Sequence, residues 1–173
     1  MATPASVVPS TSYPVAGRRA AVHRLLATTA APGPAVARVA LGAILFPHGA
    51  QHALGWFGGY GFAGTLGWMT GTLHFPAPLA ALAIVTELVA PVALLVGFAG
   101  RLAALVMGVF ILVAAATHAS NGFFMNWFGQ MAAGTEGYEY HLLAAALAAV
   151  VALEGSGALS ADRALTRARS RGA

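Results

Sequence analysis

The sequence predicts an all-α integral membrane protein, a four-helix bundle with both termini in the cytoplasm. Of its 173 residues, 58% are hydrophobic and only 8% are charged, whereas a soluble domain carries about a quarter charged residues. The nine basic residues are all arginine, and long uncharged segments separate their clusters. Because so few charges do not build a water-exposed surface, we expect the lipid bilayer to surround most of the chain.

The N-terminal segment, residues 1–33, differs in composition from the rest. Residues 1–17 are rich in Pro, Ser, Thr and Ala without helical periodicity, which predicts a disordered tail. Residues 18–26 combine arginine with apolar residues, a pattern typical of a basic amphipathic segment on an anionic membrane surface. The Arg18-Arg19 pair does not indicate a twin-arginine export signal, because Arg24 interrupts the apolar stretch that should follow.

Four membrane helices are predicted within residues 34–158, at about 35–57, 79–98, 102–118 and 138–153. The uncharged stretch from Val39 to Thr86 is too long for one span, and the Gly-rich stretch that begins at Gly55 divides it. Outer loops are predicted at about residues 58–77 and 119–137. Residues 159–173 are predicted to form a basic cytoplasmic tail.

The distribution of arginine predicts the orientation in the membrane. Arginines occur in the N-terminal region as far as Arg38, at the Arg101 turn and in the tail, and they are absent from the two outer loops. The positive-inside rule therefore places both termini and the Arg101 turn in the cytoplasm. Since basic charge is accounted for in this way, the net charge of +4 gives no reason to expect nucleic-acid binding. Abundant Ala, Gly and Arg without Lys favour a bacterial source, and hence a multi-pass protein of the bacterial inner membrane.

Aromatic residues concentrate on the opposite side, in or beside the two outer loops. Trp56, Trp68 and Trp127 all lie there. One interpretation is an aromatic belt at the membrane interface. The other is that the outer loops fold down as an aromatic cap over the bundle.

Ionisable residues inside the predicted helices are the candidate catalytic residues. A charged side chain at mid-membrane costs roughly 2.5–3.5 kcal/mol on insertion scales, so such residues are retained where they pair or function. Glu87 and His48 each lie about ten residues into their helices, at matching depth near the bilayer centre. We therefore predict that His48 pairs with Glu87, with Gln51 and His118 as competing donors. A proton-handling role and a structural strut both stay open.

Polar residues further out complete the candidate site. The predicted ligand-binding residues are Gln51, His52, Trp56, His118, Asn121 and Glu139. No metal site is predicted, because no acidic partner is spaced with the histidines as in known metal motifs. No flavin motif is visible either. The chain has no Cys, which excludes disulfides, thiolate metal sites and catalysis by a thiol of this chain.

Several motifs in order resemble the DoxX family. The pattern Arg38-x-x-Leu41-Gly42-x-x-x-Phe46-x-His48-Gly49-x-Gln51 resembles its opening helix, and Glu87, His118-x-x-Asn121 and Gly137-x-Glu139-Tyr140 follow. The resemblance covers about residues 36–165 and implies a four-helix membrane domain. Some relatives are the membrane subunit of a thiosulfate:quinone oxidoreductase, and others associate with oxidative-stress and thiol enzymes. Members often carry Lys where this chain has His52. If that Lys holds an anionic substrate, thiosulfate chemistry is expected here only when His52 is protonated and replaces it.

Two functional hypotheses follow. The first is the membrane subunit of an oxidoreductase system, binding a quinone or similar lipid-soluble ligand, with a partner protein supplying the electrons. In it, Glu87 and His48 handle protons. The second is a non-catalytic membrane anchor or assembly subunit that recruits a partner protein through the aromatic outer face. A small transporter or channel is a weaker third reading, and a homo- or hetero-oligomer is compatible with each.

Overall fold

The computed structural model describes residues 24–132 and 134–171. Within these ranges all regular structure is helical and no strand occurs, so the all-α prediction is confirmed. The longer helices are α1 (Pro32–Leu54), α2 (Gly61–Gly71), α3 (Ala77–Val96), α4 (Gly100–Thr117), α5 (Glu139–Glu154) and α6 (Ala161–Arg171). The predictions of a disordered tail and of a twin-arginine-like pair without export function fall on residues 1–23, outside the described residues.

Helices α3 and α4 have the length and hydropathy of membrane spans. Only 33% of the α3 span and 28% of the α4 span are buried, so most of their apolar side chains face outward. In water such surfaces would be unstable, since soluble monomers rarely expose large apolar patches. Helix α5 has 16 residues, and at about 1.5 Å per residue it is shorter than the hydrocarbon core of about 30 Å.

Helices α1, α3, α4 and α5 share one apolar core. Helix α1 packs against α3 and α5, and α4 packs against the same two helices. Leu41, Leu94, Met107 and Val151, one from each helix, are buried at its centre. These contacts give each of the four helices two neighbours.

Gly49 fixes the register between α1 and α3. A Cβ atom at this position would overlap the backbone carbonyl of Glu87. Small residues allow such close approach between helices in membranes. As a result, the outer part of α1 lies directly against the middle of α3, where Glu87 is located.

Helix α2 was not predicted, because the glycine-rich composition of its segment is typical of a loop. Gly is a poor helix former, and Gly61, Gly64, Gly67 and Gly71 all fall within α2. The helix forms where it packs against α1 and α3. The second outer loop agrees better with the prediction, since its described residues contain only turns, including the short 3-10 turn Ala119–Asn121.

Arginines at the helix termini hold several segments together. We call the end of the molecule that holds the start of α1, the α3–α4 turn and the end of α5 the inner end. There Arg38, only 2% exposed, donates hydrogen bonds to the backbone carbonyls of Leu94, Leu95, Ser156, Ala158 and Leu159. Arg101 donates to the carbonyls of Ala27, Ala152 and Leu153.

Asp162 completes this inner end. Its carboxylate, 1% exposed, accepts hydrogen bonds from the Ala99 and Gly100 N–H groups and from the Ser156 hydroxyl, the last at 2.6 Å. We call Arg38, Arg101 and Asp162 with their partners the inner knot. The segment predicted as a basic tail therefore starts with buried, hydrogen-bonded residues and continues as α6.

Three of the outer aromatic residues do not cover the helices. Tyr60, Trp127 and Phe128 are 85%, 72% and 88% exposed. The cap interpretation is therefore wrong for these side chains. The other interpretation, an interfacial aromatic belt, is compatible with rings that project into their surroundings.

Candidate functional site

Glu87 is a buried carboxylate in the middle of α3, paired with a histidine of α1. It is 6% exposed, and its Oε2 lies 2.5 Å from His52 Nδ1. A hydrogen bond of this kind between ionisable groups is short and strong when charge assists it. The two side chains form an ion pair when the imidazole is protonated.

The prediction that His48 pairs with Glu87 is therefore wrong, and the geometry of helix α1 explains the error. Gly49 faces α3, and residues three apart on a helix share a face. His52 thus points toward Glu87, whereas His48, one residue before Gly49, points away and is exposed. The prediction rested on the equal depth of His48 and Glu87 in their helices. Equal depth does not specify the direction in which each side chain points.

His48 instead belongs to a second group, which we call the histidine cluster: His48, His118 and His141. The His118 and His141 ring centroids lie 4.7 Å apart, and His48 is within electrostatic reach of His141. His118 Nδ1 lies 3.0 Å from the Ala114 carbonyl. A carbonyl only accepts, so this nitrogen carries the proton and Nε2 of a neutral ring is left as an acceptor.

Two consecutive residues of α5, Tyr140 and His141, contact each other edge-on, with ring centroids 5.8 Å apart. The Tyr140 hydroxyl is within electrostatic reach of Glu87. Both the Tyr140 hydroxyl oxygen and His141 Nδ1 are buried and have no hydrogen-bond partner among the described residues. Sequence reasoning selected neither residue, because a Tyr at the outer end of a helix also fits an interfacial belt. Their position directly after Glu139 in the Gly137-x-Glu139-Tyr140 motif was the available signal.

Three predicted ligand-binding residues hold the outer loops in place. Gln51 donates to the Phe57 carbonyl at 3.2 Å, and Asn121 donates to the Glu136 carbonyl at 3.1 Å. Glu139 accepts from the indole N–H of Trp127 at 3.0 Å and from the Met125 N–H. The structure gives these side chains loop contacts, and their role in ligand binding stays a prediction.

Trp56, another predicted ligand-binding residue, contacts an aromatic residue of α1. Its ring packs edge-on against Phe46, with centroids 6.5 Å apart. The two rings line an apolar surface groove of about 650 Å³ between α1 and α3, with Leu88, Val92 and Phe98. His52 and Glu87 do not line it, so its chemistry suits a hydrocarbon chain.

The chemistry available at the site is proton exchange and hydrogen bonding. Glu87 and His52 hold a proton between a carboxylate and an imidazole, two groups whose pKa values environment readily adjusts. In the part of the chain that the structure describes, no group of three or more His, Asp or Glu side chains is arranged to hold a metal ion.

Comparison with known proteins gives one match. The family model described as DoxX matches residues 33–120. Neither the curated proteins nor the solved structures contain one that matches this chain. The matched region runs from α1 through α4 and includes His48, His52, Glu87 and His118, whereas Tyr140 and His141 lie beyond it.

Proposed function

We propose, from the premise that this chain belongs to the DoxX family, that it is the membrane subunit of an oxidoreductase system and binds a quinone or similar lipid-soluble ligand. DoxX is a membrane family associated with oxidoreductase-type systems. In this proposal the ligand head group binds beside Glu87 and His52. The observation that carries it is the contact between His52 and the buried carboxylate of Glu87, which lies in a helix with the hydropathy of a membrane span.

A structural strut accounts less well for this pair. Polar contacts inside membranes stabilise by about 0.6 kcal/mol on average, which is small beside the cost of inserting an acidic residue. Glu87 has one hydrogen-bond partner, His52, on one of its two carboxylate oxygens. A strut would be better served by an uncharged amide. A carboxylate can exchange a proton, whereas an amide cannot.

The proposal includes the topology. Helices α1, α3, α4 and α5 form a four-helix bundle that spans the bacterial inner membrane, with the inner end in the cytoplasm. Its support is the exposure of apolar side chains on α3 and α4 and the location of Arg38, Arg101 and Arg163 at the inner end. Helix α5 spans with local thinning of the bilayer or with help from the residues before it.

Quinone reduction takes up two electrons and two protons and yields the quinol. A partner protein supplies the electrons. Glu87 and His52 deliver the two protons to the ligand oxygens one after the other, and the pair is reprotonated after each transfer from the outer side, where the histidine cluster lies. The apolar groove lined by Phe46 and Trp56 is the place for the isoprenoid chain.

The test measures proton exchange at Glu87 without the unknown partner. Purified protein in nanodiscs is loaded with decylubiquinone, the quinone is reduced at an electrode, and the infrared difference spectrum is recorded. We expect a carboxylic C=O band that responds to reduction and disappears in Glu87→Gln. His52→Asn should shift the band, because it removes the group that contacts the carboxylate.

Glu154→Gln is the matched control, since Glu154 is exposed at the end of α5. This variant should retain the band. An identical difference spectrum in wild type and Glu87→Gln would refute proton exchange at this residue. A wild-type protein that binds no quinone would refute the proposed ligand.

The second candidate function is a membrane anchor that recruits a partner protein. It is favoured by the exposed rings of the second outer loop, where Phe124 is 70% and Phe128 is 88% exposed. Glu139 holds Trp127 of the same loop through its indole N–H, so the surface is ordered. Aromatic residues are enriched at protein interfaces.

Crosslinking in native membranes separates this function from the first. A photoreactive amino acid at Phe128 should capture a protein partner, and Trp127→Ala should reduce that capture. The same probe at Leu105, which is 57% exposed on α4, is the control and should capture lipid. Equal capture at both positions would leave the loop as an interfacial belt.

A further inference from the structure

We propose that helix α6 lies on the cytoplasmic surface of the membrane and binds the headgroups of anionic phospholipids. This interaction goes beyond the proposed function, because it concerns the lipid around the protein and involves neither the quinone nor Glu87. It rests on one part of that function, the topology that places the inner end in the cytoplasm. Three features of α6 support it: its charge, its exposed apolar residues and its attachment to the bundle.

The first support is the concentration of positive charge in α6. The helix, Ala161–Arg171, contains four arginines and one aspartate, so it carries +3 of the net charge of +4 of the whole chain. Outside it, five arginines and four glutamates nearly cancel. The aspartate, Asp162, is buried in the inner knot, so the surface of α6 is basic. Basic segments next to membrane spans are attracted to the anionic lipids of the cytoplasmic leaflet.

The second support is an apolar stripe along α6. The spacing i, i+3, i+4, i+7, which places residues on one face of a helix, is followed by Ala161, Ala164, Leu165 and Ala168. The last three of these are exposed, and Leu165 is 40% exposed. Arg163 precedes Leu165 by two residues and therefore lies on the opposite side of the helix. A short helix with an apolar stripe and a basic side is typical of one that lies in a membrane interface.

Leu159, just before α6, is held with its side chain outward. It is 94% exposed, although its carbonyl accepts a hydrogen bond from Arg38 at 2.7 Å. Its φ of +52° is a left-handed conformation that bulky residues rarely adopt. Leu159 lines an apolar groove of about 420 Å³ at the inner end of α1, together with Ala158, Val36 and Val39. A lipid acyl chain in this groove would remove these apolar side chains from water.

The third support is the attachment of α6 to the bundle. The Asp162 N–H donates to the Gly97 carbonyl at 3.0 Å. The Asp162 carboxylate accepts from the Ala99 and Gly100 N–H groups. These contacts fix the first turn of α6 to the turn between α3 and α4, the two helices with the hydropathy of membrane spans. Beyond its first turn, α6 makes no extensive contact with another helix among the described residues. The helix therefore starts at the level of the lipid headgroups with its apolar stripe uncovered by protein.

The test uses a single fluorescent label, which the absence of Cys from the chain allows. The dye NBD is attached at Leu165→Cys, and the protein is placed in nanodiscs of phosphatidylcholine, with or without an equal part of phosphatidylglycerol. A nitroxide lipid quenches the dye when the dye enters the bilayer. We expect strong quenching in the anionic discs, weaker quenching in the neutral discs, and a decrease at high salt. Thr166→Cys, away from the apolar stripe, is the matched position and should be quenched less.

The contribution of charge is measured with the label kept at Leu165→Cys. Removal of one arginine near an anionic surface should lower the ratio of bound to free helix about fivefold, and this is the effect expected for Arg163→Gln. Arg24→Gln removes an exposed arginine outside α6 and should leave the ratio unchanged. Neither arginine belongs to the inner knot, so both variants should keep the melting temperature of the wild type.

Four results would overturn the proposal. Equal quenching in the two kinds of disc, or no effect of Arg163→Gln, would exclude recognition of anionic headgroups. Equal quenching at Leu165 and Thr166 would show that the stripe does not face lipid. Protection of the label in native membranes but not in discs would mean that a protein covers the stripe. These three results leave the proposed function standing, because the discs test neither orientation nor quinone binding. Reaction of Thr166→Cys with an impermeant maleimide outside intact cells would refute the topology and the proposal together.

Discussion

The two ends of the helix assembly treat their buried polar groups in opposite ways. At the inner end, Arg38 donates to five backbone carbonyls and Asp162 accepts from two backbone N–H groups and a hydroxyl. Toward the outer end, the Tyr140 hydroxyl and His141 Nδ1 are buried without a hydrogen-bond partner in the part of the chain that the structure describes. Both regions contain buried polar groups. Those named at the inner end have hydrogen-bond partners within the described chain, whereas those named toward the outer end have none there.

This contrast separates structural charge from functional charge. A fully hydrogen-bonded buried charge stabilises one arrangement of the chain, and removal of one partner leaves the others uncompensated. An unpartnered buried group is a cost that a bound ligand can offset. The comparison therefore predicts large losses of stability at the inner knot and small ones at the candidate site.

The largest effect is expected for Arg38→Met. It removes the donor for five carbonyls, and loss of a buried charge of this kind costs about 3–5 kcal/mol of unfolding free energy. The measurement is the melting temperature and the yield of monodisperse protein in detergent. Arg24→Met, at an exposed position, is the control and should behave as wild type. Equal stability of the two variants would remove the contrast between the ends.

Asp162→Asn should cost less, about 1.5–3 kcal/mol, since hydrogen bonds to a charged acceptor are lost but shape is kept. Three donors contact the Asp162 carboxylate: the Ala99 N–H, the Gly100 N–H and the Ser156 hydroxyl. In Asp162→Asn, the side-chain NH₂ group faces at least one of these donors and cannot accept its hydrogen bond. Denaturant unfolding in mixed micelles measures the change. Glu154→Gln is its control. A neutral result would show that α6 does not depend on the knot.

Gly49→Ala tests the coupling of the two regions. The added methyl group overlaps the Glu87 carbonyl, and overpacking costs about 1–3 kcal/mol. Because α3 must shift, quinone binding should fall together with stability. Gly67→Ala, where a Cβ meets no atom within 4 Å, should be neutral or slightly stabilising. Normal quinone binding in Gly49→Ala would mean that the register of α1 and α3 does not control the site.

Glu87→Gln should have the smallest effect on stability, below about 1 kcal/mol, since membrane hydrogen bonds are modest and the amide retains one to His52. Melting temperature and quinone affinity are measured on the same preparation. The prediction is a small change in the first and a clear loss in the second. A large loss of stability would place Glu87 with the inner knot as a structural residue.

Much of the fold was readable from composition and spacing. The low charge content and the apolar segments predicted the all-α fold, and α3 and α4 begin and end within a few residues of the predicted limits. Helix α2 escaped prediction because its glycines oppose helix formation locally, and its packing against α1 and α3 is a tertiary effect. The buried Asp162 escaped because the surrounding arginines suggested a solvated tail.

The candidate site was predicted in part. Glu87 stood out because an acid inside an apolar helix is costly, and His52 was named as a ligand-binding residue. Their pairing required knowledge of which face of α1 meets α3, and Gly49 supplies that information only once the packing is known. The burial of Tyr140 depends on how α5 packs against α1 and α4, which spacing along the chain does not specify.

The inner knot also sets a condition on biogenesis. Arg38 lies in α1, yet three of its acceptors, Ser156, Ala158 and Leu159, are about 120 residues later in the chain and are synthesised after it. Until translation reaches them, the first hairpin carries a cation that lacks most of its partners. A chain truncated before these residues would retain that defect permanently. The segment that contains Ser156, Ala158 and Leu159 is therefore needed to satisfy Arg38, and quality-control proteases have a physical basis for recognising chains that lack it.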